Sequence, residues 1–316
     1  MKTKHLMLSA LVAVATCGAT AQPVTKFVIG TSPGAGVDNI TRLVADSMST
    51  IMKRTIVVEN RVGASGNVAA EHVAKALPDG KTVLITYSIH PVIGSLFPNL
   101  RFDPIKDFRA VGLIATTPYA IVAHPKLPGT TLKEMLALAK TQGRTLNFAS
   151  TGLGSPQHLM MERLKQQTGV GMNMVHYKSA APALTDVVGG HLDFMVASIA
   201  FADPQVKAGK IKVLAVTSEE RLPQFPDAPT VTQSSYKGFV TDGWFAMLLP
   251  AKTPPALVKE YNDALNQALT SPAIREKFQA QLLTPRPGKP EVLDDLIRDE
   301  AVKWKQVITS LNIKPE

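Results

Sequence analysis

Short apolar runs alternate along the chain with segments whose apolar residues recur every three or four positions. Phe27-Val28-Ile29 ends at Gly30, and Ile40, Leu43, Val44 and Met48 then mark one face of a helix. The same reading gives strand 26–30, helix 38–53, strand 55–59, helix 66–77 and strand 81–87. Two apolar runs follow, Ala110 to Thr116 and Tyr119 to Ala123, on either side of Thr117-Pro118. A second round then begins: helix 131–142, strand 145–149, helix 156–168, the apolar segment MNMVHY, helix 180–189, strand 192–197, helix 202–208 and strand 211–217. Alternation of this kind predicts an α/β protein with a largely parallel sheet, in two successive rounds. After GWFAMLLPAKTP the pattern turns helical, over 254–269, 272–281 and 290–311. Proline-rich joints at 223–229, 250–255 and 285–290 read as ordered connectors.

The N-terminus departs from this pattern. Lys2 and Lys4 precede an apolar stretch from Leu6 to Ala15 that is too short to span a bilayer, and Ala19-Thr20-Ala21 supplies a cleavage signal. Residues 1–21 are expected to be a secretory signal peptide, cut before Gln22. The single cysteine, Cys17, lies inside that segment. A mature chain without cysteine needs no disulfide and has no thiol nucleophile or thiolate metal site. The alternative, lipidation of Cys17, places the bulky Thr16 where a small residue is usual. No later apolar run reaches 18 residues, so a soluble exported protein is expected.

The formal net charge of the 316 residues is +9, and loss of Lys2 and Lys4 lowers it by two. A basic surface attracts anions, and an inert basic surface is the competing interpretation. Nucleic-acid binding is not expected, because lysine and arginine are scattered and aromatics make up only 6% of the chain.

Between the first strand and helix stands Gly30-Thr31-Ser32-Pro33-Gly34-Ala35-Gly36-Val37-Asp38. A dinucleotide fingerprint counted from Gly34 puts Asn39 at its third glycine, and a P-loop counted from Gly30 puts Ala35 and Gly36 where Gly-Lys belong. Both nucleotide motifs fail, and Pro33 removes one amide donor. The loop still offers two hydroxyls, exposed amides and Asp38 at the expected helix N-cap, an arrangement that suits a small anion. The bland alternative is a tight turn made by glycines. The second round carries a partner loop, Ser150-Thr151-Gly152-Leu153-Gly154-Ser155, with Ser155 as N-cap and Pro156 at the first helical position. Two such loops across a cleft would grip an anion from both sides.

Catalytic motifs are weak. Gly63-Ala64-Ser65-Gly66-Asn67 has Asn67 where a nucleophile elbow needs glycine, and the seven histidines form no close pair for a metal. An exported α/β hydrolase using Ser65 or Ser155 is the rival from another class. His90 follows the strand segment TYSI, where both ligand contact and a structural role remain open.

Taken together, VVENRVGASGNVAAEHVAKALPDGKTVLIT, RFDPIKDF, LNFASTGLGSPQHL, YKSAAPALTDVVGGHLDFM, KAGKIKVLAVTSEERLPQFPDAPTV and WFAMLLPAKTP resemble the Bug family, the substrate-binding proteins of tripartite tricarboxylate transporters. The likeness runs in order from about Lys26 to the C-terminus. It implies a type II periplasmic-binding-protein fold: two α/β lobes joined by a hinge of crossing strands, lobe I from 22–120 and 245–316 and lobe II from 121–244. It also implies a periplasmic, non-catalytic receptor without cofactor or metal, expected to be monomeric. Such a receptor holds an organic carboxylate through amides, hydroxyls and waters and delivers it to membrane subunits. The resemblance carries the ligand-side role to Gly34, Gly36 and Asp38 in the first loop and to Ser150, Thr151, Gly154 and Ser155 in the second; the hydroxyls of Thr31 and Ser32, and Ala35 at a position that departs from the family, join the first loop as candidates. His90, Ala197 and Ser198 complete the set. Relatives often have glycine at Ala35, Asp-Asn at Ala197-Ser198, and proline and glycine where His176 and Ser179 stand. The missing carboxylate at Ala197 implies a less polar cleft wall, and with it a dicarboxylate with an aromatic or longer aliphatic spacer, such as terephthalate or adipate. A C4-dicarboxylate, citrate or monocarboxylate receptor, or a ligand sensor for a signalling partner, are the alternatives.

Overall fold

The computed structural model describes residues 24–34, 36–150, 155–177, 180–236, 242–310 and 313. Three parallel strands begin it: β1 (Val24–Ile29) lies between β2 (Thr55–Asn60) and β3 (Thr82–Tyr87). In β1, Phe27 and Ile29 enter the core on one face of the sheet while Val28 enters the core on the other. A parallel strand covered by helices on both sides is apolar at consecutive positions for this reason. α1 (Gly36–Met52) returns from β1 to β2 and buries Ile40, Val44 and Met48. α2 (Asn67–Ala74) returns from β2 to β3.

The two apolar runs flanking Thr117-Pro118 form one strand, β4 (Phe108–Ala123), instead of two. Its first part pairs antiparallel with β9 (Asp242–Pro250), from Phe108 opposite Pro250 to Pro118 opposite Asp242. Its last part pairs with β7 (Phe194–Ser198), beginning at Tyr119 opposite Ser198, and with β8 (Lys212–Val216). Proline interrupts a ladder because it has no N–H to donate. Pro118 stands at the residue where β4 exchanges one set of partners for another, so that cost falls where the ladder already changes hands. In the second half, β5 (Leu146–Ser150) lies parallel between β6 (Met172–His176) and β7. Each half therefore repeats one plan, β2-β1-β3-β9-β4 and β6-β5-β7-β4-β8, with one antiparallel strand among parallel ones.

Ser155 caps α5 (Pro156–Thr168) by accepting from the His158 amide, as its sequence position predicts. The remaining helices are α3 (Ile93–Leu96), α4 (Leu132–Thr141), α6 (Ala180–Gly189), α7 (Ile199–Lys207), α8 (Pro255–Thr270), α9 (Pro272–Ala280) and α10 (Pro290–Ser310). The one-turn helix α3 and the two-residue β10 (Thr284–Pro285), which pairs with β4, were not foreseen. Helix α10 buries Leu293, Ile297, Glu300, Trp304, Val307 and Ile308 along one stripe and touches both α3 and α5.

Candidate functional site

The parallel strands of both halves deliver their carboxyl ends to a common region, the usual place for a ligand in an open α/β sheet. On the β1 side, α1 starts at Gly36, so Asp38 lies inside its first turn and not at the cap. Its buried carboxylate reaches back along the loop. It accepts from the Gly34 amide at 2.9 Å, from Arg42 Nε and Nη2 at 2.9 Å each, and from Asn60 Nδ2 at 3.0 Å. The Arg42 guanidinium is the chief reason the carboxyl is held down at about 2; burial opposes it, and Gly34 and Asn60 assist. Asn60 Nδ2 also donates to the Thr31 carbonyl at 2.9 Å.

This network changes which atoms of the loop can serve a ligand. The Gly34 amide and the Asp38 oxygens are occupied within the loop, whereas Thr31 Oγ1 is buried without a partner among the described residues. Ser32 and Gly36 are exposed. Ala35 lies outside the described residues.

Against the loop sits the turn 63–66. A Cβ on Gly30 would stand 2.4 Å from the Gly66 Cα, so the two backbones touch there. Ala64 and Ser65 adopt left-handed backbone at φ 43° and 56°, between Gly63 and Gly66 at φ 148° and 94°. Strain of this kind in non-glycine residues gathers at ligand loops. Ser65 and Gly66 share a small cavity with Gly30, Thr86, Tyr87 and His90. Sequence reasoning considered Ser65 only as a nucleophile; the available signal was a glycine pair three apart directly after a strand.

His90 is buried, and its Nε2 donates to the Pro104 carbonyl at 2.7 Å because a carbonyl can only accept. Its ring meets Phe108 edge-on at 5.0 Å. Burial, partly opposed by the Pro104 bond, lowers its pKa to about 4, so the ring is neutral. His90 ties the 101–107 segment to the end of β3 while also lining the cavity. Because the folded value lies below the ordinary 6.5, its contribution to stability is present above pH 6.5 and is lost as pH falls through 4. His90→Asn should therefore flatten the acid side of the melting-temperature profile between those limits, as thermal scans against pH would show.

In the second half, Ser150 ends β5 and is buried, with its carbonyl accepting from the Tyr177 amide at 2.9 Å. The Ser155 oxygen is engaged by the helix cap it makes. Thr151 and Gly154 lie outside the described residues. Ala197 is buried in one core cluster with Ala120, Val122 and Met195. Ser198 ends β7, and its Oγ lies 3.2 Å from Thr117 Oγ1 on β4. Tyr119 Oη lies 3.2 Å from Ser88 Oγ at the end of β3. Hydroxyls from the residue after β3, from β4 and from the end of β7 thus pair where the halves join. Gly243 belongs to this junction, since a Cβ there would stand 2.7 Å from Tyr119 Oη. Among the described residues no three histidine or acidic side chains converge as metal ligands.

Two sheets sharing one strand, with hydroxyls of both halves paired along that strand, are the architecture of a two-lobed solute receptor. Residues 40–313 match the family model of the tripartite tricarboxylate transporter family receptor, and the chain belongs to that family. It is a family of periplasmic carboxylate-binding receptors, not of enzymes. The chain is 31% identical to protein BugT of Bordetella pertussis, over 93% of its own length and 90% of that protein. Among solved structures, R. palustris Rpa4515 with adipate superposes with a TM-score of 0.84 at 30% identity, covering 92% of this chain and 98% of that one. MatC from Rhodopseudomonas palustris with bound malate gives 0.80 at 30% identity, covering 90% and 98%. The two-lobe α/β fold expected from the resemblance is the fold of these relatives.

Proposed function

We propose that this chain, exported with residues 1–21 as its leader, works as a monomeric periplasmic receptor. It captures an organic carboxylate between lobe I (22–120 and 245–316) and lobe II (121–244) and presents it to the membrane subunits of a tripartite tricarboxylate transporter. The observation that carries this reading is the junction, where hydroxyl pairs Ser88–Tyr119 and Thr117–Ser198 tie strands of both halves to the shared strand. A small carboxylate bound there would meet amides and hydroxyls from each side, and closing the halves would exclude competing water.

The favoured ligand is a dicarboxylate with an aromatic or longer aliphatic spacer. The buried Ala197 methyl adds an apolar surface beside Ala120 and Met195 in place of a carboxylate. The preference is supported by the adipate bound by a relative of 30% identity; the malate-bound relative favours the shorter alternative. Melting temperatures measured with adipate, terephthalate, phthalate, succinate, malate and citrate separate the two. A ligand at a hundred times its Kd adds about 2.7 kcal/mol to stability. The largest rise is expected with adipate or terephthalate, confirmed by calorimetry. Tightest binding to malate or citrate would overturn the spacer preference, and no rise with any carboxylate would overturn the receptor reading.

A further inference from the structure

An exposed imidazole stands at the ligand end of the second half. β5 and β6 run side by side in parallel register, with Leu146 opposite Met172, Phe148 opposite Met174 and Ser150 opposite His176. Alternate residues of a strand share a face. Leu146, Phe148 and Met172 belong to the core cluster that also holds Leu159, Met160 and Leu164 of α5, and Met174 packs against it. Ser150 and His176 therefore stand on the α5 face of the sheet, one place beyond the last apolar pair, at the carboxyl ends of their strands. Neighbouring strands lie about 4.8 Å apart, so the two side chains are neighbours.

The start of α5 closes the third side. Ser155 caps the helix, and His158, 3% exposed, lies in its first turn. Burial is the chief reason that His158 is held at about 4, and the charge of His176 adds to it, so the two rings are within electrostatic reach. His158 and His90 are buried, whereas His176 is exposed. Among the described residues no hydrogen bond or ion pair engages its ring. The next residue is held firmly: the Tyr177 amide donates to the Ser150 carbonyl, and its hydroxyl donates to Asp186 of α6. The backbone at His176 is thus anchored while its ring is left to solvent.

We infer that His176 is a specificity-determining residue: its ring N–H donates to the second carboxylate of a dicarboxylate whose first carboxylate lies against the Thr31 loop of the first half. This rests on the reading of the chain as a carboxylate receptor. The Ser155 oxygen and the Ser150 carbonyl are engaged by the His158 and Tyr177 amides, so neither is a donor for a second anion. Imidazole offers an N–H whether neutral or charged. A monocarboxylate would leave that N–H to water. A dicarboxylate brings it a charged acceptor, and such bonds are about twice as strong as neutral ones.

The test pairs ligands that differ by one carboxylate. Calorimetry with the mature protein compares adipate with hexanoate, and malate with 2-hydroxybutyrate, for wild type, His176→Phe and His176→Gln. His176→Phe should weaken the better-bound dicarboxylate on the order of tenfold and leave its one-carboxylate counterpart within about twofold. His176→Gln keeps an N–H donor and should recover part of the loss. The ring is exposed, so the melting temperatures of both variants without ligand should match wild type. The His176 ring-proton resonance, assigned by its absence from His176→Phe, should shift as the dicarboxylate saturates wild type. Unchanged dicarboxylate affinity in His176→Phe, an equal loss for both members of a pair, or an unmoved resonance overturns the inference. Failure of every carboxylate to bind wild type overturns the receptor reading instead, so the two failures are distinguishable.

Discussion

Gly30→Ala is expected to weaken carboxylate binding on the order of tenfold or more, equivalent to about 1.4 kcal/mol, although Gly30 has no unusual backbone angle. Its added methyl would stand 2.4 Å from the Gly66 Cα and 3.3 Å from the Gly66 carbonyl carbon and oxygen. Backbone, unlike a long side chain, has no rotamer by which to yield. The turn 63–66 must therefore move away from the first loop. Overpacking of this sort costs about 1 to 3 kcal/mol, so the melting temperature should fall as well. The displaced atoms line the cavity shared by Ser65, Gly66 and His90, which couples the packing defect to the site. Gly143 serves as the comparison: nothing lies within 4 Å of its would-be Cβ. Its φ of +61° still imposes left-handed strain on alanine, so Gly143→Ala should lose stability while keeping affinity. Calorimetry with the best carboxylate of the panel distinguishes the two. Unchanged affinity in Gly30→Ala would show that the contact between the two loops does not shape the site.

Much of the architecture was legible because apolar periodicity reports burial directly. Consecutive Phe27, Val28 and Ile29 announced a strand covered on both faces, and Ser155-Pro156 announced a helix start whose cap is formed as read. What escaped depends on partners distant in sequence. The continuity of β4 through Pro118 is set by β9 and β7, which lie on either side of the residue lacking an N–H. Asp38 looked like a cap because short polar residues before an apolar stripe usually are caps. Its true partners include Asn60, 22 residues away, which no local rule supplies. Glu300 was unremarked among the acids of amphipathic helices, although its spacing of three from Ile297 and four from Trp304 places it on their buried stripe. Ala197 and Ser198, adjacent on one strand, point to opposite faces, and Ala197 is buried in a core cluster, a burial that residue type alone does not announce.

Replacing Asp38 with asparagine should be the more destabilising change at neutral pH, because one carboxylate satisfies the Gly34 amide, Arg42 and Asn60 together. An amide oxygen retains one acceptor, loses the charge, and places an NH2 group where a donor already points. Hydrogen bonds to a buried charge contribute about 1.5 to 3 kcal/mol. The half-exposed Arg42 side chain lets solvent screen part of this, so the lower end is expected. For a chain of this length that corresponds to a loss of roughly 2 to 3 °C in melting temperature. The pH dependence separates charge from shape. The folded carboxyl titrates at about 2 and the ordinary value is 3.8, so its contribution is present above 3.8 and is lost as pH falls through 2. The gap between wild type and Asp38→Asn should therefore be widest near neutral pH and should close over that acid window. A gap of constant size down to pH 2 would mean that shape, and not ionisation, holds the loop. Binding should weaken along with stability, because releasing the Gly34 amide loosens the loop from Thr31 to Gly34, which carries the buried, unpartnered Thr31 Oγ1.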